Sequence, residues 1–176
     1  MPSEKSQAEA TIRTVELQDA PFVSRVILEM LADSPLAFGE TLVEAQSRTD
    51  QDWLEFVQHL ITPPVRTAFL AHDEKGVCGF VCVDSALAEA PPNTAVVSRL
   101  WVAPRQRGSG LGRRLMEIVT EWAREKRAGL LALGVTEMNI QAMDFYEHLG
   151  YTDTGMRFPW PPDPRKQIIV LGHQVS

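Results

Sequence analysis

Residues 107–112, Arg107-Gly108-Ser109-Gly110-Leu111-Gly112, bring three glycines into five positions directly ahead of a helical pattern. Glycine lets the backbone take positive φ and pass close to a bulky ligand, so successive N–H groups can point into one concavity at a helix N-terminus. Phosphates bind in such places. The P-loop pattern G-x-x-x-x-G-K-[ST] is absent, because no Lys-Ser or Lys-Thr follows these glycines. The dinucleotide pattern G-x-G-x-x-G fails too, since the glycines run G-x-G-x-G and then give way to Arg113 and Arg114. An anion cradle of another kind and a plain loop-to-helix turn both remain open.

Other side chains able to do chemistry are scattered. Tyr146 carries a phenol that can act as an acid, yet residues 142, 146 and 149 share one helix face, which equally suits a core tyrosine. Asn139 is placed to cap a helix. His59, His72, His148 and His173 lack metal-ligand spacing, so no metal is expected. Cys78 and Cys82 lie four apart in a strand-like run, with Cα atoms roughly 13 Å apart. A disulfide needs less than about 7 Å, so both are expected as free thiols, which fits a reducing cytoplasm.

The segment Leu100-Trp101-Val102-Ala103-Pro104-Arg105-Gln106-Arg107-Gly108-Ser109-Gly110-Leu111-Gly112-Arg113-Arg114-Leu115-Met116 resembles motif A of the GNAT superfamily of N-acetyltransferases, [QR]-x-x-G-x-[GA], with Arg107, Gly110 and Gly112 in the specified places. The stretch from Asn139 to Tyr151 resembles motif B, N-x-x-A-x-x-[FL]-Y-x-x-x-G-[FY], with every specified position filled. The two lie about thirty residues apart in the family's order, and the resemblance covers residues 65–158.

That resemblance implies an acetyl-CoA cosubstrate, with the pyrophosphate wrapped by Arg107, Gly108, Ser109, Gly110, Leu111 and Gly112, and Arg113 as a further phosphate contact. It implies that the backbone at Leu100 and Val102 pairs with the pantetheine amides and that Asn139 lies near the pantetheine or pyrophosphate arm. It makes Tyr146 the general acid for the departing thiolate. The family often places a Glu or His base on the fourth strand, but here that strand reads Val96-Val97-Ser98-Arg99-Leu100, without a carboxylate. Ser98 could hold a water in a relay, and Glu40, Glu44 or Glu137 could reach in from loops. The acceptor, a small-molecule or peptide amine, is expected between residues 34–50 and 158–164, flanked by Trp160, with Glu40, Glu44 and Asp163 attracting a cation. A homodimer is compatible with the family. A non-catalytic acyl-CoA-binding sensor on the same fold is the alternative to an enzyme.

The elements that must position these residues follow from periodicity and breakers. Residues 1–10 are polar and aperiodic and read as a loose tail, with a single domain over residues 11–176. A strand starts at Thr11, and a helix capped by Asp19 stops before Pro35. Residues 34–50 read as a functional loop or irregular helix, and Asp50 caps a short helix ending at Pro63-Pro64. Residues 65–72, 77–86 and 96–102 read as an antiparallel meander leading into the glycine loop. Next come an amphipathic helix ended by Gly129, a buried-type strand over residues 130–135 and so a parallel βαβ unit. A helix closed by Gly150, a strand over 151–158, a rigid connector over 159–164 and a last strand over 167–173 complete the chain. The expected class is α/β (α+β): a mixed six- to seven-stranded sheet with about four helices, splayed, by the resemblance, between strands four and five.

Composition narrows the partners. With 176 residues and 44% hydrophobic content the chain can bury a substantial core. A net charge of −6 argues against a nucleic-acid binder relying on a general basic field. No uncharged apolar run approaches the ~18 residues of a membrane span, and the N-terminus lacks the apolar core of a signal peptide. No membrane association is expected.

Overall fold

The chain builds one seven-stranded sheet in the order β1-β2-β3-β4-β5-β7-β6 in a computed structural model that describes residues 9–175. The strands are β1 (Thr11–Thr14), β2 (Arg66–Asp73), β3 (Gly76–Asp84), β4 (Thr94–Val102), β5 (Leu130–Thr136), β6 (Thr152–Trp160) and β7 (Asp163–Gln174). The helices are α1 (Ala20–Asp33), α2 (Leu42–Gln46), α3 (Asp50–Leu60), α4 (Leu111–Glu125) and α5 (Ile140–His148). Of the expected tail, residues 1–8 lie outside the described residues. Ala10 is 3% exposed, and its carbonyl accepts from Arg114 Nη2 at 2.8 Å.

The meander forms as its period-2 pattern and turns dictate, with β2–β3 and β3–β4 antiparallel. The α4 crossover makes β4 and β5 parallel, the βαβ unit expected from a strand, an amphipathic helix and a second strand. Leu111, Leu115, Met116, Val119 and Ala123 form the buried stripe of α4. Gly79 on β3 admits this stripe, because a Cβ there would come within 3.0 Å of Leu115 Cδ1.

Four local expectations are corrected. The cap of α3 is Thr49, whose hydroxyl accepts from the Asp52 amide while the Asp52 carboxylate returns to the Thr49 amide, a capping box that shifts the start by one residue. Asp19 makes no cap bond to α1; its carboxylate instead accepts from both Arg13 Nη atoms, at 2.6 and 2.7 Å, and from the Glu16 amide. Helix α4 ends at Glu125, with Arg127 at φ 58, and Gly129 instead lies beyond the helix against the side chain of Asn93, whose Nδ2 a Cβ there would approach to 2.6 Å. The proline-rich connector is a tight hairpin, since β6 runs through Pro159 and Trp160 and β7 starts at Asp163. Proline is tolerated there because β6 is the sheet's edge strand.

The glycine loop is tethered to the β2–β3 hairpin by Asp73. Its side chain is 6% exposed and accepts from Arg105 Nε (2.9 Å) and Nη2 (3.1 Å), Gln106 Nε2 (3.0 Å) and the Lys75 amide (2.8 Å). These donors, Arg105 foremost, hold its carboxyl far below the ordinary carboxylate range. A depressed folded pKa stabilises the protein fully above the unfolded value of about 3.9 and loses that contribution as pH falls below it. Asp73→Asn should therefore cost about 1.5–3 kcal/mol at pH 7. The gap from wild type should narrow between pH 4 and pH 2. Urea melts across that range check this, and a gap independent of pH would contradict it.

Candidate active site

The glycine loop presents free backbone donors. Gly108 and Gly110 take φ of 77° and 87°, and a Cβ on either would meet nothing within 4 Å. Their glycine character therefore serves backbone conformation and an open approach. Gly112 is different, because it is already helical and a Cβ there would come within 3.2 Å of Phe145 Cζ. It lets α4 approach α5. The amides of Gly108, Gly110, Gly112 and Arg113 find no acceptor among the described residues, while Arg107, Ser109 and Leu111 amides are taken by Pro104 O, Gln106 O and Ser109 Oγ. Four N–H groups at the start of a fifteen-residue helix make an electropositive cradle suited to an anion.

Two side chains of the loop serve it internally. Ser109 Oγ donates to Gln106 O at 2.7 Å, and Ser109 is not on the cleft wall. Arg107 donates through Nε to Val102 O (3.0 Å) and through Nη2 to Asp33, pinning the loop to the end of α1. Asp33 also accepts from Trp101 Nε1 at 3.0 Å.

The sheet opens beside this loop. Pairing of β4 with β5 stops at Val97 and Leu133, although both strands run on. Between the Cys82–Ser98 and Phe80–Trp101 pairs, Arg99 and Leu100 together face Val81, a bulge with Arg99 in the left-handed region at φ 55. The bulge leaves Leu100 without a cross-strand partner on either side. The splay expected between strands four and five is thus present, and the bulge increases it.

Three connected spaces follow the split. A cleft of about 450 Å³ runs from Gly108, Gly110 and Arg113 past Leu100 and Val102 to Asn139 and Tyr146. A narrow space of about 70 Å³ continues from Leu100, Asn139 and Tyr146 to Ser98 and Arg99. A cavity of about 400 Å³ beyond it is walled by Ser98, Arg99, Glu40, Arg48 and Trp160. Phe38 lines all three, so residues 34–40 cover the split along its length.

Tyr146 stands where the cleft meets the narrow space. It is 8% exposed, and burial, with Tyr151 adding to it, raises its phenol well above the ordinary value. Its hydroxyl has no hydrogen-bond partner among the described residues. The phenol is therefore protonated at any physiological pH and free to donate. Asn139 does cap α5, accepting from the Ala142 amide at 3.1 Å, and it also lines the cleft. Ser98 is exposed in the split.

The acidic side chains are less available than their number suggests. Glu44 is exposed and closes a capping box on Thr41, and Asp163 pairs with Arg165, while neither lines the cavity. Glu40 does line it, but pairs with Arg48 at 2.5 Å and lies 3.9 Å from Arg99. Trp160 is 6% exposed and donates from Nε1 to Phe38 O at 2.9 Å, so it buttresses the covering loop as well as walling the cavity. Sequence reasoning missed Phe38, Arg48, Arg99 and Phe145. Arg99, the residue before Leu100 on the motif-bearing strand, and Phe145, which fills the [FL] position of motif B, carried a local signal, whereas Phe38 and Arg48 carried none.

Together these features define a protein with a sheet split beside an anion-cradling loop and a row of adjoining spaces along the split. The chain belongs to the Acetyltransferase (GNAT) family, whose family model matches residues 27–151. It is 44% identical over 60 residues to streptothricin acetyltransferase from Streptomyces lavendulae, 34% of this chain and 32% of that protein. It is 30% identical over 111 residues to IAA acetyltransferase from Azospirillum brasilense, covering 61% and 68%. The match to streptothricin acetyltransferase thus spans about a third of that protein's length. In fold it is similar to spermidine N-acetyltransferase from Vibrio cholerae in complex with CoA and spermine, with TM-score 0.73, 17% identity and 98% of each chain covered.

Proposed function

We propose that this chain, as a single domain over residues 11–176, transfers the acetyl group of acetyl-CoA to a primary amine by direct attack within a ternary complex. The observation that carries this reading is the row of adjoining spaces along the split, with a four-amide anion cradle at one end, a charged cavity at the other and Tyr146 lining the two spaces nearer the cradle. The amides of Gly108, Gly110, Gly112 and Arg113 receive the pyrophosphate, and Arg107 holds the loop in place instead of reaching the ligand. Leu100, unpaired at the bulge, offers its backbone to the pantetheine and thioester, where a preorganised donor stabilises the developing oxyanion.

The amine nitrogen attacks the thioester carbon, the C–S bond breaks and the departing thiolate takes the Tyr146 proton. The ammonium formed on nitrogen loses its proton to solvent through water held at Ser98. A protein acyl intermediate is disfavoured by chemistry, because Cys78 and Cys82 are buried and burial pushes their thiols up to about 11 and about 12. The β4 segment without a carboxylate also fits a non-catalytic acyl-CoA sensor. A panel of amines with acetyl-CoA, followed by thiol release, decides between them. Amine-dependent release is expected; tight coenzyme A binding with no release across the panel would replace the enzyme by the sensor.

A further inference from the structure

The cavity beyond the split carries the wrong charge for a simple cation. Glu40, Arg48 and Arg99 are its only charged side chains among the described residues, two cations against one anion. The two guanidiniums are held over aromatic faces, Arg48 at 4.7 Å from the Trp53 ring and 4.6 Å from Phe56, and Arg99 at 5.2 Å from Phe56. Such stacking fixes a guanidinium while leaving its in-plane N–H groups to bind.

Those N–H groups are not used up. Glu40 neutralises Arg48 through Nη2, but Arg48 Nη1 is sealed from solvent without a hydrogen bond. Arg99 reaches Glu40 only at 3.9 Å, beyond hydrogen-bond range, and Glu40 Oε2 is likewise buried without a partner. A buried donor left empty costs roughly 1–3 kcal/mol, and more when it is charged. A second carboxylate entering the cavity would meet the unpaired guanidinium of Arg99 and cancel the excess charge, whereas an alkylammonium would add to it.

We propose that the acceptor is an amine bearing a carboxylate, of the amino-acid class, whose carboxylate is gripped by Arg99 with Arg48 behind it. This rests on the acetyltransferase reading above and narrows its acceptor. The carboxylate takes no part in bond making. It orients the amine toward the narrow space by Ser98 and Leu100, where nitrogen replaces sulfur on the acetyl carbon to give an N-acetyl amino acid and free coenzyme A. The expected roles of Glu44 and Asp163 in attracting a cation are thereby replaced by a positive cavity in which Glu40 organises the guanidiniums.

The test is thiol release from acetyl-CoA with the common amino acids and with their carboxamides, pairs of nearly the same shape that differ in the carboxylate charge, with rates compared per unit of unprotonated amine. At least one amino acid should exceed its amide in kcat/KM by tenfold or more. Arg99→Gln should bring that ratio close to one, chiefly through a raised KM for the acid. Arg99→Lys should restore part of it, having the charge but not the fork. Arg48→Gln, checked with Arg99→Gln by thermal melts, gives a second variant in case Arg99 at the bulge is needed for folding. If amines without a carboxylate are preferred and the Arg99 variants do not change that ratio, the proposal is wrong while the acetyltransferase reading stands. If no amine of either kind is consumed although coenzyme A binds, both fall together.

Discussion

Gly110→Asp should bind coenzyme A at least ~100-fold more weakly than the wild type while remaining folded. Gly110 is the N-cap of α4 at φ 87, and a Cβ added there meets no protein atom within 4 Å. The backbone conformation costs an L-residue about 1–2 kcal/mol, and aspartate is among those that tolerate it best. The larger effect is electrostatic. A carboxylate about 4 Å from a diphosphate charge is repelled by up to about 4 kcal/mol at an effective dielectric near 20. Allowing for solvent screening, about 3 kcal/mol remains, or two powers of ten in affinity. Gly110→Asn has the same shape without the charge and should lose far less. Calorimetry on both variants separates the charge from the strain, and unchanged binding by Gly110→Asp would refute the anion cradle.

Tyr146→Phe should lower turnover about 100-fold and leave coenzyme A affinity within a few-fold. General acids contribute roughly 10²- to 10⁴-fold, and two facts place this one at the lower end. A thiolate is already a fair leaving group, with an ordinary thiol pKa near 8.5. The buried phenol, raised above its normal value, is a weaker acid than a phenol in water. Against this, the same burial makes the thiolate a stronger base, so the hydrogen bond between them gains strength. Stability should barely change, because the hydroxyl has no partner to lose among the described residues and the ring keeps its edge contacts with Phe145 and Tyr151 at 5.2 and 5.6 Å. Single-turnover rates are the appropriate readout. Undiminished rates there would reduce Tyr146 to a packing residue.

Much of this architecture can be read along the chain because its signals are local. The period-2 runs of the meander, the breaker before β4 and the amphipathic stripe of α4 each specify an element within a dozen residues, and the βαβ handedness rule then orders them. The two motifs bring the same few residues to the split, and the structure gathers Leu100, Val102, Gly108, Gly110, Arg113, Asn139 and Tyr146 along one cleft. Where local signals compete, the sequence is misread by a residue or two. Thr49 and Asp50 are both good caps, and only the Asp52 partner three residues on favours Thr49.

What could not be read is long-range pairing of charge. Glu40 looks like an available carboxylate until Arg48 and Arg99 are found against it, and Arg107, on the cleft wall, also pairs with Asp33, 74 residues away. Nothing in the periodicity near residue 99 announces a bulge with positive φ, because the cause is the register of β3 across the sheet. Likewise Trp160 reads as an aromatic flanking the acceptor, but nothing local announces that the carbonyl of Phe38 accepts from its indole N–H. The charge of a site is thus set by contacts between segments distant in sequence, while its position is set by contacts close in sequence.

In the mechanism proposed above, the acetyl group passes directly from acetyl-CoA to an amine across the split in the sheet. Initial rates of thiol release over a grid of acetyl-CoA and amino-acid concentrations test it most directly. The predicted result is double-reciprocal lines that intersect, with no release in the absence of the amine. Parallel lines with a burst of thiol and acetyl left on the protein, or no amine-dependent release anywhere on the grid, would contradict it.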